Sequence, residues 1–149
     1  MELLELIRTR RSIQKYTAQP VEWEKLETII EAGLYAPNPS GRQGTTIVVL
    51  EDAGLIDQIG VINANCENHN WNTRVSAEQP SIIDDLSIKS GFYGCHALAM
   101  VCIRRASKSA INAIGSAFVC AENMVLKAQA LGVSSVIVGH AGADGSVGP

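Results

Sequence analysis

Positive charge is not in excess in this chain: twelve Lys and Arg face fifteen Asp and Glu, a net charge of -3. A dedicated nucleic-acid binder rests its affinity on surplus cations that neutralise phosphates, so the balance argues against that class. Cysteine is sparse: Cys66, Cys95, Cys102 and Cys120 make no C-x-x-C pair and no disulfide framework. His69, His96 and His140 stand far apart, and Cys95-His96, although adjacent, would point to opposite faces of a strand, so no metal site is expected. Long uninterrupted apolar runs are lacking too. The greasiest stretch, Ala110 to Leu131, is broken by Asn112, Glu122, Asn123, Lys127 and Gln129, which a bilayer would not tolerate. The start, MELLELIRTRR, mixes Glu2, Glu5 and Arg8 among its leucines and does not read as a signal peptide. Gly41-Arg42-Gln43-Gly44 lacks the Lys-Ser/Thr of a phosphate-binding P-loop, and no G-x-G-x-x-G follows a strand, so no Rossmann nicotinamide site is built in. These absences leave a cytoplasmic globular domain with neither membrane nor nucleic-acid partners.

The chain has 149 residues, 46% hydrophobic and 18% charged, which suits one domain with one core. Leu3, Leu4, Leu6 and Ile7 form a helical stripe with acids at its start and bases at its end. A turn at Ala18-Gln19-Pro20 precedes a second helix over Val21–Leu34, with Leu26, Ile29, Ile30 and Leu34 on one face; Pro37 and Pro39 stop it. The turn-forming loop PNPSGRQG leads into a buried strand over Thr46–Leu50. Asp52 is placed to cap a third helix with Leu55, Ile56, Ile59 and Ile62 as its apolar face. From Asn63 to about Gly91 the pattern fades, as in a lid, a substrate loop or an insertion. Ala97–Ile103 reads as a second strand and Ser109–Leu131 as a long central helix, apolar nearly all round. Gly132 ends that helix, and Ser134–Gly139 reads as a third strand. The tail from about residue 140, rich in glycine, is expected to be poorly ordered.

Arg8, Arg10, Arg11 and Lys15 place four of the twelve bases within eight residues, with Ser12 among them. Two readings fit. The cluster is either a solvated helix end complementing the dipole, or a phosphate cradle of guanidiniums and a hydroxyl.

The stretch RTRRSIQKYTAQPVEWEKLETIIEAGLYAP resembles the opening of the flavin-dependent nitroreductase family: an R-R-S triplet, an aromatic, a Pro-Val turn, a helix and an Ala-Pro loop. The similarity continues through PSGRQ into TIVVL, returns at GFYG, and extends through AENMVLKAQALGVSSVIVG, which looks like the family's Asn-Met helix and flavin-side strand. The resemblance covers most of the chain apart from about residues 63–88 and the tail. It implies one α+β domain over residues 1–149, a mixed, largely antiparallel sheet flanked by helices, and a homodimer with FMN at the subunit interface. Carried over to this sequence, Arg10, Arg11 and Ser12 would hold the FMN phosphate. Pro37, Asn38, Ser40 and Gln43 would pack on the flavin from the partner subunit, and Ile137, Val138 and Gly139 would lie beside its ring with a backbone N–H near N5. Hydride would pass from NADH or NADPH to a nitroaromatic, quinone or similar small-molecule acceptor. No catalytic acid or base is obligatory, because the cofactor carries the chemistry.

Three departures bear on function. Gln14, a neutral amide, stands where the family usually has a cation facing N1 and O2 of the flavin, so charge on the reduced ring would be less stabilised. Arg42 either substitutes for that cation or is a solvated loop residue. Gln43-Gly44-Thr45 replaces the usual Gln-Pro-Trp, and GHAGADGSVGP stands where the family continues into a helix and a basic segment, which implies that the C-terminal segment is missing. The rival reading is therefore a non-catalytic flavin-binding dimer of the same fold that has lost turnover.

Overall fold

The computed structural model describes residues 2–60, 92–103 and 110–138. The stretch from 63 to 91, Gly139 and the glycine-rich tail lie outside the described residues. In chain order the elements are α1 (Leu3–Thr9), α2 (Trp23–Leu34), a 3-10 turn (Pro39–Gly41), β1 (Thr45–Leu50), α3 (residues 53–60), β2 (Leu98–Ile103) and α4 (Ala110–Ala130). The fold class is α+β, as the sequence implies.

β1 and β2 pair antiparallel with Thr45 opposite Ile103 and Leu50 opposite Leu98. Residues directly opposite share a face, so the Ile47–Val101 pair points one way, and it packs on the core formed by Ile29, Cys120, Met124 and Ala128. That core is the seam between α2 and α4. On α4 the spacing of Cys120, Met124 and Ala128 puts all three on one stripe. On α2 the buried positions are Leu26, Ile29 and Gly33. Leu34, expected on that face, is 60% exposed. It sits one residue beyond Gly33, about 100° further round the helix, where α4 no longer covers it.

Gly33 marks a close approach. A Cβ there would stand 2.7 Å from Met124 Cγ, 2.9 Å from Met124 Sδ and 3.1 Å from Cys120 Sγ. Beside it, Asn123 Nδ2 donates to the Ala32 carbonyl at 3.1 Å, tying α4 to the last turn of α2. α2 starts two residues later than the sequence suggests, with Glu22 as its N-cap and a Glu22–Lys25 ion pair of 2.9 Å. The Asp52 cap is present as expected: Leu55 N–H donates to Asp52 Oδ1 at 2.7 Å, and Ile56 becomes almost fully buried.

Two expectations are corrected. α4 is not buried all round: Ile111 is 83% exposed and Phe118 54%, and its buried residues, Cys120, Met124, Val125 and Ala128, all lie from Cys120 onwards. The third strand forms no ladder among the described residues: residues 134–138 make a single parallel bridge, Ser135 to Ser12. Among the described residues no helix is long and apolar enough to cross a membrane.

Replacing Gly33 by Ala should lower stability. Overpacking a filled contact costs about 1–3 kcal/mol, and the gain in helix propensity returns only about 1 kcal/mol. A denaturant midpoint unchanged or raised in Gly33→Ala would show that Met124 yields without cost.

Candidate functional site

The segment bearing the R-R-S triplet begins where α1 ends. Arg10 leaves helical geometry at φ -54, ψ 136, while its N–H still reaches the Leu6 carbonyl at 2.9 Å. Arg11 Nη1 donates to the carbonyls of Arg8 and Arg10, at 2.8 Å each. The chain then meets the far end of the molecule. Ser12 bridges Ser135, and Ile13 N–H donates to the Ser135 carbonyl at 3.0 Å.

That meeting is set up by Gly132. At φ +71 it adopts the left-handed conformation that side-chain-bearing residues disfavour, and it turns the chain sharply after α4. Val133 N–H donates to Ala128 O at 2.9 Å and Gly132 N–H to Gln129 O at 3.1 Å, which closes the helix end. Val133 packs against the core, and residues 134–138 run back to Ser12. Arg10, Arg11, Ser12 and Gln14 thus lie on one segment, with Ile137 and Val138 on its neighbour. Gly139 falls outside the described residues.

Among the described residues the only ion pair is Glu22–Lys25, so no described carboxylate neutralises Arg8, Arg10, Arg11, Lys15 or Arg42. Neither the Arg10 guanidinium nor the Ser12 hydroxyl has a hydrogen-bond partner among the described residues. A guanidinium and a hydroxyl are both donor types suited to anions.

The second group of candidates sits on the loop between α2 and β1. Asn38 Oδ1 accepts from Gln43 N–H at 2.8 Å, closing the loop on itself. Ser40 at φ +58 and Gln43 at φ +44 are both left-handed without being glycine, a strained conformation held by the turn. Pro37, Ser40, Arg42 and Gln43 are exposed and Asn38 is half-buried. Among the described residues no hydrogen bond joins this loop to Arg10–Gln14. Gln43 instead helps line an open depression of about 240 Å³ with Gly44, Thr46, Cys102 and Ile103.

Ser135, Tyr16, His96 and Cys102 carry no sequence signal for the places they occupy, because strand pairing and the return after Gly132 create those places. His96 lies just before β2 and bonds through Nε2 to the Thr17 carbonyl at 2.8 Å, necessarily as donor. Cys95, its neighbour, is half-buried, and burial pushes its thiol pKa up, which disfavours a nucleophilic thiolate. Tyr16 is raised from 10.0 to about 12, first by burial and then by the charges that Cys95 and Tyr93 would carry. Among the described residues no three His, Cys, Asp or Glu side chains are grouped to hold a metal.

Residues 7–144 match the model of the nitroreductase family. Solved structures agree on the fold. An FMN-dependent nitroreductase from Clostridium difficile R20291 superposes with a TM-score of 0.69 at 23% identity, covering 88% of this chain and 57% of that one. A nitroreductase with bound FMN from Desulfitobacterium hafniense DCB-2 gives 0.76 at 21% identity, covering 95% and 72%. Oxidised iodotyrosine deiodinase bound to FMN and 3-iodo-L-tyrosine gives 0.73 at 16% identity, covering 93% and 75%. The chain therefore spans little more than half the length of the first of these. No curated protein matches.

The raised Tyr16 pKa predicts an alkaline weakness. Between pH 10 and about 12 the folded Tyr16 keeps its proton while the unfolded one has lost it, so stability falls as pH rises through that window. Cys95 acts in the same direction from a lower pH. Denaturant midpoints measured across the window should fall less steeply in Tyr16→Phe than in the parent chain; parallel curves would mean Tyr16 titrates normally.

Proposed function

The chain belongs to the nitroreductase family, and from that premise we propose that it is a cytoplasmic FMN-dependent oxidoreductase acting on a small-molecule acceptor. When bound, FMN supplies the redox chemistry, taking hydride from NADH or NADPH and passing it to a nitroaromatic, quinone or similar acceptor. The carrying observation is one juxtaposition: Arg10 and Ser12, whose side chains have no partner among the described residues, sit on the segment that bridges residues 134–138. The residues present fit the group, since a phosphate needs such donors and a planar ring needs an apolar wall such as Ile137 and Val138. In this reading Arg10 and Ser12 bind the phosphate, and Ile137, Val138 and Gly139 orient the ring.

Gln14 leaves the N1 side of the ring without a cation, unless Arg42 supplies one. That neutral amide favours the second reading, a flavin-binding protein without turnover. Titration with FMN followed by NADH and NADPH oxidation with nitro and quinone acceptors separates the two. Absence of any flavin spectral change rejects both, and turnover no faster than free FMN selects the binding protein.

The phosphate assignment predicts unequal arginines. Arg10→Ala should lose a charge-assisted bond, about 1.5–3 kcal/mol or ten- to a hundredfold in FMN affinity. Arg8→Ala should cost well under about 1 kcal/mol at physiological salt, where an exposed neighbouring charge is screened. Equal, salt-sensitive losses in flavin titrations would reduce the cluster to a basic face.

We also propose a homodimer. α1 buries no residue and exposes Leu3, Leu4 and Ile7, while α4 exposes Ile111, Ile114 and Phe118. Covering each such side chain contributes about 1.5–3 kcal/mol, and a second copy also offers its Pro37–Gln43 loop to the site. Sedimentation at micromolar concentration should give twice the 15.9 kDa chain mass; a clean monomer contradicts the assembly.

A further inference from the structure

Within the R-R-S triplet the two arginines are not equivalent. Arg11 Nη1 donates to both the Arg8 and Arg10 carbonyls, 2.8 Å away. These oxygens flank the point where the backbone changes from helical to extended, at Arg10. The last carbonyls of a helix lack intrahelical partners, and a cation placed on them is favoured by the helix dipole as well. α1 has only seven residues and no buried side chain, so its own tendency to stay helical is small and its closing bonds matter. Thr9 Oγ1, donating to Glu5 O at 2.7 Å, ties the same turn from within.

With Nη1 engaged by two carbonyls, the Nη1–Nη2 fork of Arg11 is turned onto the helix end rather than towards a phosphate. Arg10 contributes its backbone to this arrangement, and its guanidinium has no partner among the described residues. We propose that Arg11 is a positioning residue that clamps the exit from α1 and so presents Arg10 and Ser12 to the phosphate of a flavin nucleotide, without itself being a phosphate ligand. This rests on the flavin reading above.

The test compares Arg10→Ala and Arg11→Ala with the parent protein, titrated with FMN and with riboflavin, which lacks the phosphate. Arg10→Ala should lose FMN affinity by about tenfold or more and fall towards its riboflavin affinity. Arg11→Ala should weaken both flavins by a similar factor, preserving the FMN preference and its salt dependence. A flavin-free measurement accompanies it: amide hydrogen exchange over residues 6–10 should accelerate in Arg11→Ala and stay unchanged in Arg10→Ala. Loss of FMN preference in Arg11→Ala matching that in Arg10→Ala overturns the division of roles, as does unchanged exchange. A parent protein that does not distinguish FMN from riboflavin fails the phosphate reading itself, and the exchange result then shows separately whether the clamp exists.

Discussion

α2 and α4 cross where a side chain would not fit, and the rest of the described structure is arranged around that contact. Gly33 lets the α2 backbone approach Met124 and Cys120 on α4, and the Asn123–Ala32 hydrogen bond holds the crossing from the side. The core formed there gives the Ile47–Val101 face of the sheet something to cover. Close packing of this kind leaves little freedom, because each neighbour is already within van der Waals distance.

The crossing reaches the candidate site through the end of α4. Ala128 belongs to the core, and its carbonyl also accepts from Val133 as the helix closes at Gly132. Residues 134–138 are thereby aimed at Ser12, and a single bridge turns two chain ends into one surface. α1 stands differently: it contacts α4 but buries none of its own side chains. A short helix with an exposed leucine stripe depends strongly on its closing bonds, which is why those bonds bear on the segment that follows it.

Much of the fold is legible in local chemistry. The β-branched run TIVVL, the Asp52 cap and the glycine after α4 each act over a few residues, and each appears as read, to within a residue or two at the ends. Errors arise where a partner decides. Leu34 satisfies the helical period yet lies beyond the reach of α4, and residues 134–138 have strand composition yet, among the described residues, bridge a neighbour at one position. The buried stripe of α2 runs through Gly33, a residue that hydrophobicity does not mark as core.

The sequence by itself determined the order of the elements, because periodicity and turn residues act locally, and its resemblance to a known family carried the α+β class. Only the tertiary structure decided that Ser12 meets Ser135, that His96 holds Thr17, and that Arg11 turns back on α1. Those outcomes depend on where one segment lies relative to another distant in the chain. Relative position is settled by the packing of α2, α4 and the sheet together, which no local pattern encodes.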